Sequence, residues 1–252
     1  MAKPINNERR NNIVNYVINN GSVTVIELAE KFNVSTETIR KDLAYLHENN
    51  ILNKGHGTVT AASSYLENEF ALKERECLDA KIHIAQRAAT QVPQNGVVFL
   101  DSGTTALQLA KILNLRNDLI IVSNSAVIPQ VLSTSTNQVL IAGGELRKRS
   151  FSYVVNWVLQ AIKQIKIDVA FLSCSGFHAD GPSIHSYREL EIKQAVITSA
   201  KKTILMANTD KFFTESLYRY ASFSAFDLMI TERKLTPEER KHFPELLTIM
   251  DY

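Results

Sequence analysis

The stretch Asn33-Val34-Ser35-Thr36-Glu37-Thr38-Ile39-Arg40-Lys41-Asp42-Leu43 decides how the amino-terminal part of this 252-residue chain is read. Ser35 is placed to cap a helix, because its hydroxyl can accept from a first-turn N–H that has no partner inside the helix. Val34 ahead of the cap and Ile39 four positions after it predict a hydrophobic staple that sets the angle of entry. Ile39, Leu43 and Leu46 fall on one apolar stripe. Glu37 and Lys41 then point away from that stripe, with Thr36, Thr38, Arg40 and Tyr45 along its flanks. Asp42, on the inner side, is expected to brace a neighbouring cation.

Working outward, residues 8–20 place Ile13, Val14, Val17 and Ile18 at helical spacing, and Gly21 ends that run. Thr24-Val25-Ile26-Glu27 has the pattern of a capping box for a second helix reaching Phe32, and Val23 with Leu28 repeats the staple. A tight joint at Asn33-Val34 is the connection of a helix-turn-helix, whose second member enters the major groove of double-stranded DNA. Beyond it, Gly55-His56-Gly57 between short β-favouring pieces predicts a hairpin, which makes the motif winged. The candidate DNA-contacting residues are Ser35, Thr36, Thr38, Arg40 and Lys41 on the helix, with Lys54 and His56 on the wing. Arg9 and Arg10 either reach phosphate or lie solvated in the first helix.

Bulk charge does not carry this expectation. The whole chain has a formal net charge of +2, and residues 1–60 hold seven Lys or Arg against six acids. Placement, together with helix N-termini that bind phosphate without net charge, has to do so. Cys77 and Cys174 are too few for a disulfide framework and have no metal-ligand spacing, so both are expected as reduced thiols. Nothing in the pattern asks for a cofactor or a metal. No apolar run reaches membrane-spanning length and no signal-peptide core is present, so the expected setting is cytoplasmic.

Residues 61–75 read as a connector of small and polar residues followed by a helical segment, separating a first domain over 1–60 from a second over 76–252. In the second, β-rich runs at 97–100, 119–122, 139–141, 169–172, 203–206 and 227–230 alternate with helical stretches. That pattern is an α/β fold with a mainly parallel sheet covered on both faces. Loops at the carboxyl ends of such strands gather on one edge, where ligands bind.

Here those loops are small, polar or glycine-rich. Asp101-Ser102-Gly103-Thr104-Thr105 opens a helix and can present hydroxyls and free N–H groups to an anion. Asn124 and Ser125, Gly143 and Gly144, and Lys211 follow later strands. Together they suggest a site for a phosphorylated, hydroxyl-rich small molecule. Asp101 either bonds a sugar hydroxyl or braces its own loop.

The run from Val23 to Gly57 resembles the N-terminal domain of the DeoR family of transcriptional regulators. The Asp101–Thr105 loop, Asn124-Ser125, Gly143-Gly144, Glu189-Leu190-Glu191-Ile192-Lys193 and Lys211-Phe212 are similar to that family's sensor domain. Three departures stand out: Thr58 and Val155 where glycine is usual, and Asn208-Thr209-Asp210 ahead of Lys211 where the family shows Asp-Ser-Ser. The resemblance implies a sensor domain with the fold of ribose-5-phosphate isomerase that binds sugar phosphates without turning them over.

The expected function is that of a repressor of a carbohydrate-utilisation operon. Its partners are an operator, a phosphorylated sugar or polyol, and further copies of itself as a dimer or tetramer, because one helix-turn-helix covers too little DNA. Two other readings compete with it. An isomerase-like enzyme would need Asp101, Glu145, Glu189 or Asp210 as general base. An architectural DNA-binding protein would leave the second domain as an oligomerisation block.

Overall fold

The computed structural model describes residues 7–48, 52–55, 57–61 and 70–251. The chain divides into two compact units, residues 1–67 and 68–252. Among the described residues no helix is long and apolar enough to cross a membrane.

The first unit contains helices α1 (Asn7–Asn20), α2 (Val25–Lys31) and α3 (Thr36–Glu48) and strands β1 (Ser22–Thr24), β2 (Leu52–Lys54) and β3 (Thr58–Ala61). The Thr24–Glu27 capping box forms, with each residue's side chain accepting from the other's backbone N–H. At the joint, Asn33 takes a left-handed φ of +50°, a conformation asparagine tolerates and one that lets α2 stop abruptly. Ser35 then caps α3, its Oγ accepting from the N–H of Thr38 at 3.2 Å. Ile13, Val17, Leu28, Ile39, Leu43, Leu46, Leu52 and Val59 are buried together, with Val34 packed against them. The hairpin of β2 and β3 is joined by β1 on its other side, in the order β1-β3-β2. Thr58 starts β3 opposite Thr24, and the Gly55 N–H closes the turn on the Thr58 carbonyl at 2.8 Å.

The second unit opens with α4 (Phe70–Arg75) and α5 (Leu78–Ala89). The helical segment expected at the end of the connector is α4, and its Phe70 is buried against the edge of the Phe151 ring. Then come β4 (Val97–Leu100), α6 (Thr104–Leu113), β5 (Ile120–Ser123), the short α7 (Ile128–Val131) and β6 (Gln138–Ile141). After these, β7 (Glu145–Arg147) and β8 (Ser152–Val154) form a hairpin leading into α8 (Asn156–Lys163). The remaining elements are β9 (Ile167–Ser173), β10 (Gly176–His178), β11 (Gly181–Ile184), α9 (Tyr187–Ser199), β12 (Ala200–Met206), β13 (Tyr218–Arg219), β14 (Leu228–Ile230), α10 (Pro237–Arg240) and β15 (Ile249–Met250).

Seven strands form one parallel sheet in the order β15-β14-β12-β9-β4-β5-β6. Side chains alternate across it, as the two-residue period of a strand requires. Val98, Leu100, Val169 and Phe171 pack with α5 and α6, whereas Phe99, Ala170 and Leu172 pack with α8 and α9. All six runs expected as strands lie within this sheet or within one residue of it, and β15 adds a seventh strand at its edge. Gly181 and Pro182, residue types that read as a loop in sequence, instead open β11 of the β10–β11 hairpin, which β13 extends. Its Phe177 sits in an aromatic cluster with Phe212, Phe223 and Phe243, whose burial outweighs the turn-forming tendency of glycine and proline.

Val155, immediately before α8, adopts φ +81° and ψ −178°. A β-branched residue is strained in this region, which glycine enters freely. Val155→Gly is therefore expected to stabilise the unit by about 1–2 kcal/mol. That corresponds to a rise in melting temperature of about 2–8 °C, measurable by scanning calorimetry.

Candidate functional site

In the first unit, the face of α3 turned away from the core carries the expected residues, but their side chains differ in what they are free to do. Ser35 and Thr38 are tied to each other, with 2.9 Å between their hydroxyls, so both act first in capping. Lys41 pairs with Glu37 at 2.9 Å, both well exposed. Thr36 is half-buried and Arg40 is exposed; among the described residues neither side chain has a hydrogen-bond or ion-pair partner. Lys54 is exposed at the end of β2. His56 lies outside the described residues.

Arg9 and Arg10 are neither solvated nor spread along a phosphate path. Their Nε atoms donate to the two oxygens of the buried Asp42 carboxylate at 2.7 and 2.9 Å, and the Arg10 guanidinium lies 3.9 Å from the centre of the Tyr45 ring. This bidentate clamp fastens α1 to the inner side of α3.

In the second unit, parallel strands bring the loops after β4, β5, β6, β9 and β12 to one edge. Gly103 is the N-cap of α6 and, among the described residues, no side chain caps that helix, so its first-turn N–H groups have no partner within it. Among the described residues, the hydroxyls of Ser102, Thr104 and Thr105 have no hydrogen-bond partner. The closeness that Gly103 permits is to the protein itself: a Cβ there would come 2.4 Å from Ser173 Oγ. Gly144 likewise makes room for packing, since its Cβ would meet the Val154 carbonyl oxygen at 2.4 Å, whereas Gly143 faces open space.

Asp101 braces. It accepts from the N–H of Ser102 at 2.9 Å, from the N–H and hydroxyl of Ser173 at 2.9 and 2.5 Å, and from Lys193 Nζ at 2.5 Å. Both members of the Asp101–Lys193 pair are almost fully buried. Burial pushes the Asp101 carboxyl up, but the Lys193 charge and the bonds from Lys193 and Ser173 outweigh it and hold the group below its ordinary range. Lys193 also donates to the Ser173 carbonyl at 3.0 Å and lies 5.1 Å from the centre of the Tyr220 ring.

Ser125 Oγ accepts from the N–H groups of Val127 and Ile128 at 3.1 and 3.2 Å, which commits it to the start of α7. Asn124 Nδ2 donates to the Tyr153 carbonyl at 3.2 Å, while its buried Oδ1 has no partner among the described residues. Asn208 Oδ1, at the end of β12, is in the same condition. Lys211 closes the 3-10 turn Thr209–Lys211 and donates to the Cys174 carbonyl at 2.6 Å.

The edge thus brings together anion donors at the start of α6, a cation at Lys211, and two unpaired amide oxygens. Asn208 lies in a loop that the sequence places at this edge, whereas Lys193 was missed as a member of it. The signal for Lys193 was a lysine embedded between Ile192 and Ala195-Val196, on the buried side of α9.

Residues 9–65 match the DeoR-like helix-turn-helix domain and residues 76–233 match the DeoR C terminal sensor domain. The chain is 31% identical to the glycerol-3-phosphate regulon repressor of Escherichia coli, covering 89% of this chain and 90% of that protein. It is 28% identical to the transcriptional regulator GlpR of Haloferax volcanii, covering 97% of each. Among solved structures, ribose 5-phosphate isomerase A of Methanocaldococcus jannaschii aligns over 54% of each chain with 13% identity and a TM-score of 0.39. With a helix-turn-helix in front, a parallel-sheet sensor behind and both halves matched, the chain belongs to the DeoR family of DNA-binding transcriptional regulators.

Proposed function

We propose that this chain represses genes of carbohydrate use and that a phosphorylated sugar or polyol, bound at the carboxyl edge of the parallel sheet, sets its affinity for the operator. The observation that carries the effector assignment is the uncapped start of α6, with the free hydroxyls of Ser102, Thr104 and Thr105, at the same edge as Lys211. Oriented N–H groups and a lysine are the usual means of holding a phosphate. The unpaired oxygens of Asn124 and Asn208 can accept from sugar hydroxyls, and Gly143 leaves open space beside them. The name of the Escherichia coli relative points to the same ligand class.

A sensor accounts for the carboxylates better than an isomerase does. Asp101 is held by Lys193, Glu145 by Arg188 at 2.5 Å, and Asp210 by Cys77 at 2.5 Å. Glu189 accepts from Ser150 and Ser152 and lies 3.5 Å from Arg147. Each candidate base is engaged, and a general base needs a carboxylate free to meet a substrate proton.

The DNA-binding unit is a homodimer in this reading, since symmetric half-sites require two reading helices. One experiment addresses dimer and effector together: sedimentation of the full chain on a labelled operator, titrated with sn-glycerol 3-phosphate, ribose 5-phosphate and fructose 1-phosphate. Two chains per operator are expected, with one ester shifting affinity about 5- to 150-fold. A monomer bound tightly would remove the dimer, and indifference to all three esters would remove the assigned effector class.

A further inference from the structure

The β7–β8 hairpin begins directly after Gly143-Gly144 and forms a two-stranded sheet of its own, separate from the parallel sheet. Its strands are three residues each, and Leu146 and Phe151 are exposed, so little apolar burial holds it in place. Polar contacts with the sensor edge do so instead. The Tyr153 N–H donates to the Asn124 carbonyl at 2.7 Å, and Asn124 Nδ2 donates to the Tyr153 carbonyl. The Ala126 N–H donates to the Phe151 carbonyl at 2.7 Å. Glu189, one turn before Lys193 on α9, accepts from the hydroxyls of Ser150 and Ser152 at 2.6 and 2.9 Å. The far end of the hairpin grips α4. Phe70, the first residue of α4, donates its N–H to the Arg149 carbonyl at 3.2 Å, and its ring meets that of Phe151 edge-on with 5.8 Å between centres.

Backbone outliers bracket β8: Phe151 just before it has φ +47° and Val155 just after it has φ +81°. Neither an aromatic nor a β-branched side chain favours that region, and such conformations persist only where surrounding contacts impose them. Resting on the effector reading above, we infer that the β7–β8 hairpin carries the state of the sensor edge to α4, and through Phe70 to the connector that ends there. Asn124 is the first link. Its Nδ2 holds Tyr153 while its buried Oδ1 has no partner among the described residues, so a ligand hydroxyl donated to Oδ1 turns the same amide that positions the hairpin. Gly144 is the second link, because it lies against the Val154 carbonyl so closely that a Cβ there would come within 2.4 Å. A shift of the Gly143-Gly144 turn therefore bears on the end of β8. A competing route runs through α6, whose Leu107 and Leu109 share a core cluster with Phe70; that cluster is packed on all sides and has no strained joint to release.

Cutting the hairpin from α4 separates the two routes. Phe151→Ala removes the ring contact at an exposed position, so the fold and both binding sites should stay intact. Operator affinity of the full chain is read by anisotropy, with and without sn-glycerol 3-phosphate, ribose 5-phosphate and fructose 1-phosphate, and ester affinity separately by calorimetry. Phe151→Ala should match the wild type in operator affinity without ester and in ester affinity, while the ester-induced shift in operator affinity shrinks about 2- to 30-fold. Phe151→Tyr, which keeps the ring, should retain the shift. Hydrogen exchange of the wild type is a second measurement that needs no variant: an ester that binds should change exchange in residues 145–154 and 70–75 together. A folded Phe151→Ala protein with the full shift, one that has lost ester affinity, or exchange that changes in the hairpin but not in α4 would each overturn the inference and leave the effector reading standing. Should Phe151→Ala fail to fold, the exchange measurement decides. Indifference of the wild type to all three esters would overturn both.

Discussion

Asp101→Ala is expected to lower the stability of the sensor unit by about 3–5 kcal/mol, because it strands the buried Lys193 ammonium without its carboxylate. The cost arises from an unpaired charge and not from lost attraction alone. Asp101→Ala combined with Lys193→Met should therefore lose much less than the single change, and denaturant unfolding of the two proteins compares them directly. A double variant at least as unstable as the single would show that the pair is not the cause.

The same pair sets an acid limit. The Asp101 carboxyl is depressed in the folded protein, so its stabilisation is present above the unfolded carboxylate range near pH 4 and disappears as pH falls through the folded value. Acid unfolding of the wild type should show this loss and the double variant should lack it. Gly103→Val, a substitution directed at the proposed phosphate loop, belongs with these variants, since its Cβ would press on Ser173 inside the Asp101 network. It is a test of folding before it is a test of effector binding.

Arg40→Ala is expected to weaken operator binding by about 1–3 kcal/mol, roughly 5- to 150-fold, while leaving the melting temperature unchanged. Arg40 is exposed on the reading face of α3 and, among the described residues, its guanidinium has no ion-pair partner. Lys41 must first release Glu37. The larger loss should accordingly fall on Arg40, and a base-dependent loss would separate a base contact from a phosphate contact. Equal operator affinity of the folded variant and the wild type, measured by anisotropy at the same salt, would remove Arg40 from the interface.

Local rules made much of this fold readable. The Thr24–Glu27 box, the Ser35 cap and the Ile39-Leu43-Leu46 stripe are set by residues three or four apart, and the helices follow from them. Six of the seven parallel strands were visible as β-rich runs alternating with helical stretches, and the short edge strand β15 was not. What was not readable depends on partners far along the chain. The Asp101–Lys193 contact spans 92 residues and the Cys77–Asp210 contact 133, separations at which periodicity says nothing. The β10–β11–β13 sheet was hidden for another reason: Gly181 and Pro182 suggest a loop, and only the surrounding phenylalanines reverse that. In the sensor edge, residue types showed where polar groups collect, but not that Ser125 caps α7, that Gly144 serves packing or that Asp101 is neutralised from behind.

Strand β1 pairs along its whole length with β3 of the wing, and the Asp42 clamp holds α1 to α3. The turn, the reading helix and the wing are thus cross-linked by backbone bonds on one side and by charge on the other. Such a body behaves as a stiff stamp, with an imprint on one half-site that is set by its own construction. A small molecule bound elsewhere in the chain has little means of reshaping that imprint. In the proposed effector-responsive dimer, control of transcription then has to act on the distance and angle between two stamps, so altering the spacing between half-sites should change the response to effector more than altering any base within one half-site.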